Sequence, residues 1–194
     1  VLARPWLTAL AGLAVVAATV VRPPVPGWPG QWQVAICDVG QGSAALVRAG
    51  PHEAVVVDTG PDPHRLSHCL DDLGVAQVPV VILSHFHADH VDGLNAVRDH
   101  GLTRAIVVSQ LASPQWSAKR VAQTAAQLGA KVLVAHPGHV MTAGTAKLEL
   151  WGGVQLSDAG TDEPGEESAA ENNSSVVLKA TVNGLTVVLP GDAE

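Results

Sequence analysis

Four potential metal ligands stand within six residues of this chain, in Ser84–His90, a segment that reads Ser-His-Phe-His-Ala-Asp-His and is called the His loop below. In a chain of this composition, chance produces a fixed His-x-His-x-Asp-His pattern only about once in a thousand cases. The His loop follows Val78–Leu83, an apolar run typical of a strand buried on both faces. Loops at the carboxyl ends of such strands commonly carry the sites of α/β proteins. We therefore expect a functional site here, and the alternative is a polar loop whose histidines are fortuitous.

The spacing within the His loop suits two metal ions. His85 and His87 are two residues apart, so in an extended segment both imidazoles leave the same side of the backbone. Asp89 and His90 turn into the following helix and can reach a second ion, as two-metal hydrolytic centres require. Imidazole and carboxylate ligands suit Zn²⁺, and Mn²⁺ is compatible where oxygen ligands predominate. The predicted cofactors are therefore two divalent metal ions, Zn²⁺ or Mn²⁺.

Strand-like and helical runs alternate from residue 31 onward, which predicts an α/β fold. The order is too irregular for one doubly wound sheet and fits two packed sheets with helices outside. Asn183-Gly184, between two apolar runs, is a strong hairpin signal. The predicted strands are Trp32–Cys37, Ala44–Arg48, Glu53–Val57, Val78–Leu83, Arg104–Ser109, Lys131–Ala135, His139–Met141, Lys147–Trp151, Ser175–Val182 and Leu185–Leu189. The predicted helices are His64–Leu73, Asp92–His100 and Ser113–Leu128, the last with Ser113 as its N-cap.

The amino-terminal residues predict a membrane element. Residues 5–21 carry no charge and are flanked by Arg4 and Arg22, which favours a transmembrane helix over residues 1–22. A signal-peptide core and a buried helix are the alternatives, and arginine on both flanks leaves the orientation undetermined. Residues 23–30 form a linker of Pro, Gly and Trp, and residues 31–194 form the globular domain. Because the chain begins with Val and stops after a strand-like run, we expect it to be cut from something longer.

Charge and cysteine content exclude several classes of protein. The formal net charge is −7, which argues against a broad basic surface for nucleic acid. Six acidic residues lie between positions 157 and 171, a segment that we expect to be mobile and solvated. Two cysteines exclude a disulfide-rich scaffold and a cysteine zinc ribbon. We expect Cys37 and Cys69 to be free, small, buried hydrophobic residues.

The His loop resembles the hallmark of the metallo-β-lactamase fold, and two further motifs follow in that family's order. Val55-Val56-Val57-Asp58-Thr59-Gly60 looks like its first motif, in which a strand-end aspartate braces the metal loop. Leu189-Pro190-Gly191-Asp192 looks like its fourth, in which the aspartate bridges the two metals. The resemblance implies an αββα sandwich of two mixed sheets, here truncated at the carboxyl terminus. It implies His85, His87, Asp89, His90 and Asp192 as metal ligands.

A narrower resemblance to the ComEC-type competence proteins rests on the order of five segments. Asp38-Val39-Gly40-Gln41-Gly42 follows the membrane helix and linker, and Asn172-Asn173-Ser174-Ser175 precedes the fourth motif. In that family a metallo-β-lactamase-like domain follows the last helix of a multi-pass membrane channel. Ser43 departs from the usual aspartate at that place, and Asn172 and Asn173 stand where the broader fold has a histidine ligand. An amide oxygen is a weaker zinc ligand, so these two are at best weak ligands or support the ligands, as Asp58 does.

The ComEC resemblance implies a function in DNA uptake at the cell membrane. The domain would be a metal-dependent phosphodiesterase or nuclease acting on the non-transported strand, with Asp89 orienting or deprotonating the attacking water. Implied partners are DNA, the membrane, other competence proteins and the rest of the same polypeptide. The alternatives are a membrane-tethered hydrolase of a small ester, thioester or lactam, and a catalytically silent module. Since the family closes its second metal site with a histidine beyond the bridging aspartate, we expect residues 1–194 alone to be inactive.

Overall fold

The His loop owes its position to a strand at the centre of a six-stranded sheet. The computed structural model describes residues 30–152 and 169–193, and residues 31–194 group into one unit. The six strands are β1 (Val34–Ile36), β2 (Ala45–Arg48), β3 (Ala54–Val57), β4 (Val80–Ile82), β5 (Ala105–Val108) and β6 (Lys131–Val134). They are ordered β1-β2-β3-β4-β5-β6, with β1, β2 and β3 antiparallel and β3 to β6 parallel. This sheet is therefore mixed, as expected.

A second sheet of four described strands packs on the first. Its strands are β7 (Val140–Ala143), β8 (Ala146–Gly152), β9 (Val176–Val182) and β10 (Leu185–Leu189), ordered β10-β9-β8-β7 and all antiparallel. The β9–β10 hairpin turns at Asn183 and Gly184, both with positive φ, as the sequence predicts. Alternation along β3 divides the interior into two cores. Val56 faces the helices, whereas Val55 and Val57 face the second sheet.

Four α-helices and one 3₁₀ helix complete the described structure. They are α1 (Pro63–Asp72), α2 (Ala88–Val91), the 3₁₀ helix (Asp92–Asp99), α3 (Gln115–Leu128) and α4 (Ala169–Asn173). Helices α1 and α3 and the 3₁₀ helix cover the outer face of the first sheet through Leu66, Leu94 and Val121. Helix α4 was not predicted, and the helix expected over 92–100 is 3₁₀ instead.

The expected N-cap of α3 is wrong. Pro114 occupies the N-cap position and Ser113 lies one residue before it, so the Ser113 hydroxyl does not cap the first turn. That hydroxyl instead donates a hydrogen bond of 2.5 Å to the carboxylate of Glu171. As an N-cap, the hydroxyl would accept from a backbone N–H of the first turn, but here it donates to a distant carboxylate, which the sequence pattern alone does not reveal.

The expectation of two free cysteines is also wrong. Cys37, directly after β1, and Cys69, in α1, form a disulfide with a Cα–Cα distance of 5.8 Å. The residues are 32 positions apart and meet because α1 packs against the part of the sheet where β1 ends. The bridge therefore ties the segment that begins the Asp-Val-Gly-Gln-Gly motif to a helix.

Two predictions concern residues that the structure does not describe. The membrane helix over residues 1–22 and its linker to residue 29 lie outside the described residues. Within residues 30–152 and 169–193, none of the helices combines the length and apolarity needed to span a bilayer. Most of the acidic segment, residues 157–168, is likewise outside the described part. Its last acid, Glu171, is described, and it is fully buried rather than solvated.

Candidate metal centre

The His loop begins two residues after β4 and carries its imidazoles into the protein interior. His85, His87 and His90 are 1%, 4% and 1% exposed. The side chains of Asp89 and Asp192 are 28% and 42% exposed, so they lie at the mouth of the same site. The candidate site is therefore a group of buried imidazoles with part-exposed carboxylates on its solvent side, and it is called the pocket below.

Two imidazole nitrogens face each other at the base of this pocket. His85 Nε2 and His87 Nδ1 are 2.9 Å apart. The other nitrogen of His87, Nε2, lies 2.9 Å from Glu171 Oε2. Because a carboxylate only accepts, His87 Nε2 carries the hydrogen and donates it to Glu171. In the neutral ring, His87 Nδ1 is then a bare lone pair directed at His85.

Hydroxyl groups place the hydrogen of His85 on the side away from His87. Ser84 Oγ donates its hydrogen to Asp58 Oδ2 at 2.8 Å, so it can only accept at its 3.0 Å contact with His85 Nδ1. His85 Nδ1 is then the donor, and Nε2 is the lone pair. Two lone pairs 2.9 Å apart repel each other unless a proton or a cation lies between them. The donor set therefore fits a metal ion.

His90 is oriented by a carboxylate in the same manner. Its Nδ1 donates to Asp58 Oδ2 at 2.8 Å, which leaves Nε2 to face the pocket. His90 Nε2 lies 3.2 Å from Asp192 Oδ2 and 3.8 Å from Asp89 Oδ2. Donor atoms of His85, His90 and Asp192 all lie within 4.8 Å of one another. The residues expected to bind the first ion and those expected to bind the second therefore lie in one cluster.

Burial and charge give His85 and His90 opposite protonation behaviour in the metal-free site. Burial, followed by the charges of two neighbouring imidazoles, lowers the pKa of His85 to about 2. Burial also lowers the pKa of His90, but the hydrogen bond and charge of Asp58, with the charges of two other aspartates, outweigh it and raise the pKa to about 9. In the metal-free site His85 is therefore neutral at physiological pH, whereas His90 would have to release a proton before it could bind a metal.

Asp58 braces the His loop, as the first-motif resemblance implied. It follows β3 with a φ of +57° and accepts from the Ser84 amide at 2.7 Å as well as from the Ser84 hydroxyl and His90. Thr59 adds two hydrogen bonds, from its amide and its hydroxyl, to the carbonyl oxygen of His90. The end of β3 therefore holds the His loop at both ends.

Two glycines let neighbouring segments approach the His loop closely. Gly42, in the Asp-Val-Gly-Gln-Gly motif, lies so close to the backbone of Asp89 that a Cβ atom would overlap its carbonyl oxygen. The adjacent Ser43 amide donates to that oxygen at 3.2 Å. Gly191 lies against the Ser84 side chain in the same way. The Asp-Val-Gly-Gln-Gly motif thus packs against the His loop and supports it, which the absence of a side chain at Gly42 makes possible.

Asn172 and Asn173 end helix α4 directly after Glu171. The Oδ1 atom of Asn172 is buried and has no hydrogen-bond partner among the described residues. His136 and His139, which imitate a histidine motif in spelling, face each other with ring centroids 5.3 Å apart. Both are exposed, so the structure keeps them out of the buried pocket.

The comparison with known proteins agrees with the geometry. The model of the metallo-β-lactamase superfamily matches residues 37–194. The chain belongs to the metallo-β-lactamase superfamily. Members of this superfamily are generally metal-dependent hydrolases, and the fold usually binds divalent metals such as zinc.

Among curated proteins, this superfamily member is similar to ComE operon protein 3 of Bacillus subtilis (strain 168). The two are 26% identical over an alignment 182 residues long, and the match covers 84% of this chain and 22% of that protein. The chain thus spans about a fifth of the length of its curated relative.

Solved metallo-β-lactamase structures share the fold. YhfI from Bacillus subtilis, a metallo-β-lactamase fold protein, matches with a TM-score of 0.53 and 18% identity over 80% of this chain and 60% of its own. MEM-A1, a subclass B3 metallo-β-lactamase from a soil metagenome library, matches with a TM-score of 0.52 and 16% identity over 80% and 58%. At such identities the likeness concerns the fold alone.

Sequence reasoning missed one carboxylate of the candidate metal centre, that of Glu171. Glu171 stands in an acidic run, where a solvated side chain is the ordinary expectation. The available signal was its position immediately before Asn172-Asn173, the segment that the resemblance had placed near the metals. Its burial depends on Ser113 and His87, which are 58 and 84 positions away in sequence.

Proposed function

We propose that this chain is the metal-dependent hydrolase domain of a membrane protein for DNA uptake, where it cleaves phosphodiester bonds. The observation that carries the hydrolase part is the pair of facing nitrogens, His85 Nε2 and His87 Nδ1, with Asp89 and Asp192 at the open side. The DNA-uptake part is supported by the order of the competence-type motifs along the chain and by the similarity to ComE operon protein 3.

The residues present would hold two divalent metal ions, Zn²⁺ or Mn²⁺. His85 and His87 would hold one ion, and Asp89 and His90 would hold the other. Asp192 would lie between them, since its carboxylate is within 3.2 Å of His90 Nε2. When bound, the metals would supply a water of lowered pKa and would neutralise charge on the phosphate oxygens.

The protein's own groups divide the remaining work. The Asp89 carboxylate is part-exposed at the mouth of the pocket, where it would orient the attacking water and accept its proton. The buried imidazoles exclude bulk water from the base of the pocket, which strengthens electrostatic interactions there. The substrate phosphate would enter from the side of Asp89 and Asp192, since these are the exposed members of the set.

DNA binding would need help from other parts of the longer protein. Several basic residues of the described domain are engaged locally: Arg65 pairs with Asp38, Arg120 pairs with Asp92, and Arg98 donates to Gln127. Phosphate contacts by Lys and Arg supply most of the affinity of non-specific DNA binding. Channel segments and other competence proteins are therefore the proposed source of the missing positive charge.

We further propose that the domain lies outside the cytoplasm, anchored by the apolar segment at residues 5–21. The Cys37–Cys69 disulfide supports this location, because disulfides persist in oxidising compartments and are rare in the cytosol. The multi-pass arrangement of the longer protein is supported by the competence-type resemblance alone.

The test is metal-dependent cleavage of labelled DNA by the full-length protein in detergent or vesicles. We expect cleavage with Zn²⁺ or Mn²⁺, loss of cleavage in His87→Ala, and full cleavage in His139→Ala, a matched variant of an exposed histidine. Undiminished cleavage by His87→Ala would refute the catalytic assignment. If the metal-loaded protein leaves DNA intact but hydrolyses a lactam or thioester, the small-molecule hydrolase is the correct function. If it hydrolyses neither, the domain is a silent module.

A further inference from the structure

Glu171 is a carboxylate whose surroundings are unusual for its charge. Its side chain is 0% exposed, yet it belongs to a short helix at the end of an acidic segment. Removing an ionised carboxylate from water is strongly unfavourable unless hydrogen bonds and an opposite charge compensate it. Its neighbours include the Ser113 hydroxyl at 2.5 Å and His87 Nε2 at 2.9 Å. One oxygen is thus held by the serine, and the other faces the metal loop.

The contact with His87 decides which nitrogen of that imidazole can bind a metal. Donation from Nε2 to Glu171 fixes the hydrogen on that nitrogen and directs the Nδ1 lone pair toward His85 Nε2. Without Glu171, the hydrogen of a neutral His87 is free to move to Nδ1, the nitrogen in the pocket. That tautomer cannot bind a cation through Nδ1, the nitrogen that faces His85. A hydrogen-bonded carboxylate also makes the imidazole a more basic ligand.

The loop between β5 and α3 holds Glu171 in place. Ser113, which fails to cap α3, donates to Glu171 Oε1, and Ser109 Oγ donates to the carbonyl oxygen of Ser174 at 2.8 Å. Ser174 Oγ donates back to the carbonyl oxygen of Glu171 at 2.7 Å. The loop that follows β5 therefore holds the short helix α4 at its carboxyl end.

We propose that Glu171 is a positioning residue of the metal centre, which selects the metal-binding tautomer of His87, and that Ser113 fixes Glu171 for this task. The inference rests on the metal-binding part of the proposed function and not on the DNA substrate. Asp58 does the equivalent work on His90, so each of two ligands has its own buried carboxylate.

The experiment compares Zn²⁺ affinity, measured by competition with a chromophoric chelator, among the wild-type chain, Glu171→Ala, Glu171→Gln and Ser113→Ala. Glu149→Ala is the matched control, because Glu149 lies in β8 and pairs with Lys147 and Lys179 away from the His loop. We expect Glu171→Ala to weaken Zn²⁺ binding roughly 10- to 100-fold. Glu171→Gln, whose amide oxygen still accepts from His87, and Ser113→Ala should lose less. Glu149→Ala should bind as wild type does.

A second readout separates positioning from a merely structural role. In the metal-free chain, nitrogen-15 NMR of the imidazoles should show His87 with its hydrogen on Nε2, and Glu171→Ala should lose this preference while Glu171→Gln retains it. Wild-type Zn²⁺ affinity or an unchanged His87 tautomer in folded Glu171→Ala overturns the proposal. If Glu171→Ala fails to fold, wild-type affinity in both Glu171→Gln and Ser113→Ala overturns it. Tight, Glu171-dependent metal binding without DNA cleavage contradicts only the proposed substrate.

Discussion

Replacing Asp58 with Asn should lower both the stability of the metal-free domain and its affinity for a metal ion. Asparagine keeps the size of the side chain and tolerates the left-handed backbone of this position, where φ is +57°. Its Oδ1 can still accept from the Ser84 amide. Its Nδ2, however, is a donor where Asp58 Oδ2 accepts from Ser84 Oγ and from His90 Nδ1. Two donors would then meet, so His90 must move its hydrogen to Nε2.

The structure sets the size of each effect. Asp58 accepts three buried hydrogen bonds, at 2.7, 2.8 and 2.8 Å. Hydrogen bonds to a charged group exceed neutral ones by about 1 kcal/mol each, so Asp58→Asn should lower the free energy of unfolding of the metal-free domain by about 2–3 kcal/mol. Zn²⁺ affinity should fall roughly 10- to 100-fold, because the neutral imidazole of His90 then keeps its one hydrogen on the pocket nitrogen Nε2, whereas in the wild type that hydrogen stays on Nδ1. Asp58→Ala should lose more stability, about 4 kcal/mol, since buried donors are left unpaired.

Urea unfolding in the presence of a chelator measures the first quantity, and chelator competition measures the second. The pKa of His90 should also fall in Asp58→Asn, because the hydrogen bond and charge of Asp58 are what raise it to about 9 against the effect of burial. If Asp58→Asn binds Zn²⁺ as tightly as the wild type while His90 keeps its hydrogen on Nδ1, the reasoning about tautomers is refuted.

Three further predictions concern the stability of the domain: the effect of the disulfide, the effect of Gly42 and the effect of pH. Reducing the Cys37–Cys69 disulfide, or replacing both cysteines with Ser, should lower the free energy of unfolding by about 3–4 kcal/mol, because the unfolded chain regains the entropy of a 32-residue loop. An unchanged midpoint of urea unfolding would contradict this. Gly42→Ala, at φ +135° and in overlap with a carbonyl oxygen of the His loop, should cost about 2–4 kcal/mol. Gly129→Ala, at φ +68° with open space around it, is the control and should cost about 1–2 kcal/mol of stability. If thermal unfolding shows the same loss for Gly42→Ala and Gly129→Ala, the close contact of Gly42 with the His loop does not matter for stability. Burial lowers the pKa of His85 to about 2 in the folded domain. Between pH 6.5 and about 2 this imidazole is therefore protonated in the unfolded chain but not in the folded domain, so the free energy of unfolding falls as pH falls through that range. The metal-free His85→Asn variant should lose less stability over that range, and identical pH profiles would argue against the shift.

The central part of the site could be predicted from the sequence because its signals are local. The His loop carries its ligands within six residues, after a strand whose apolar run marks it as buried. Asp58 and Asp192 each come at or just after the end of an apolar, strand-like run. Their order relative to the His loop is the order of the metallo-β-lactamase motifs. The structure brings donor atoms of His85, His90 and Asp192 within 4.8 Å of one another, although Asp192 stands 102 positions after His90.

The parts that sequence reasoning missed depend on contacts between distant segments. Glu171 is buried because Ser113 and His87 converge on it, and a run of acidic residues predicts the opposite. Cys37 and Cys69 have no motif spacing, and their pairing follows from the packing of α1 beside the end of β1. Local propensity predicts Ser113 as an N-cap, but its hydroxyl donates to the buried carboxylate of Glu171, a charge-assisted hydrogen bond with a residue 58 positions away.

Anomalous diffraction at the zinc absorption edge, from crystals of the zinc-loaded protein, would locate the metal and its bonded nitrogens. We expect a peak bonded to His85 Nε2 and His87 Nδ1, with His87 Nε2 still donating to Glu171 and His90 Nδ1 to Asp58. Zinc bound instead through His87 Nε2, or held at the exposed pair His136 and His139 with none in the His loop, would contradict this expectation.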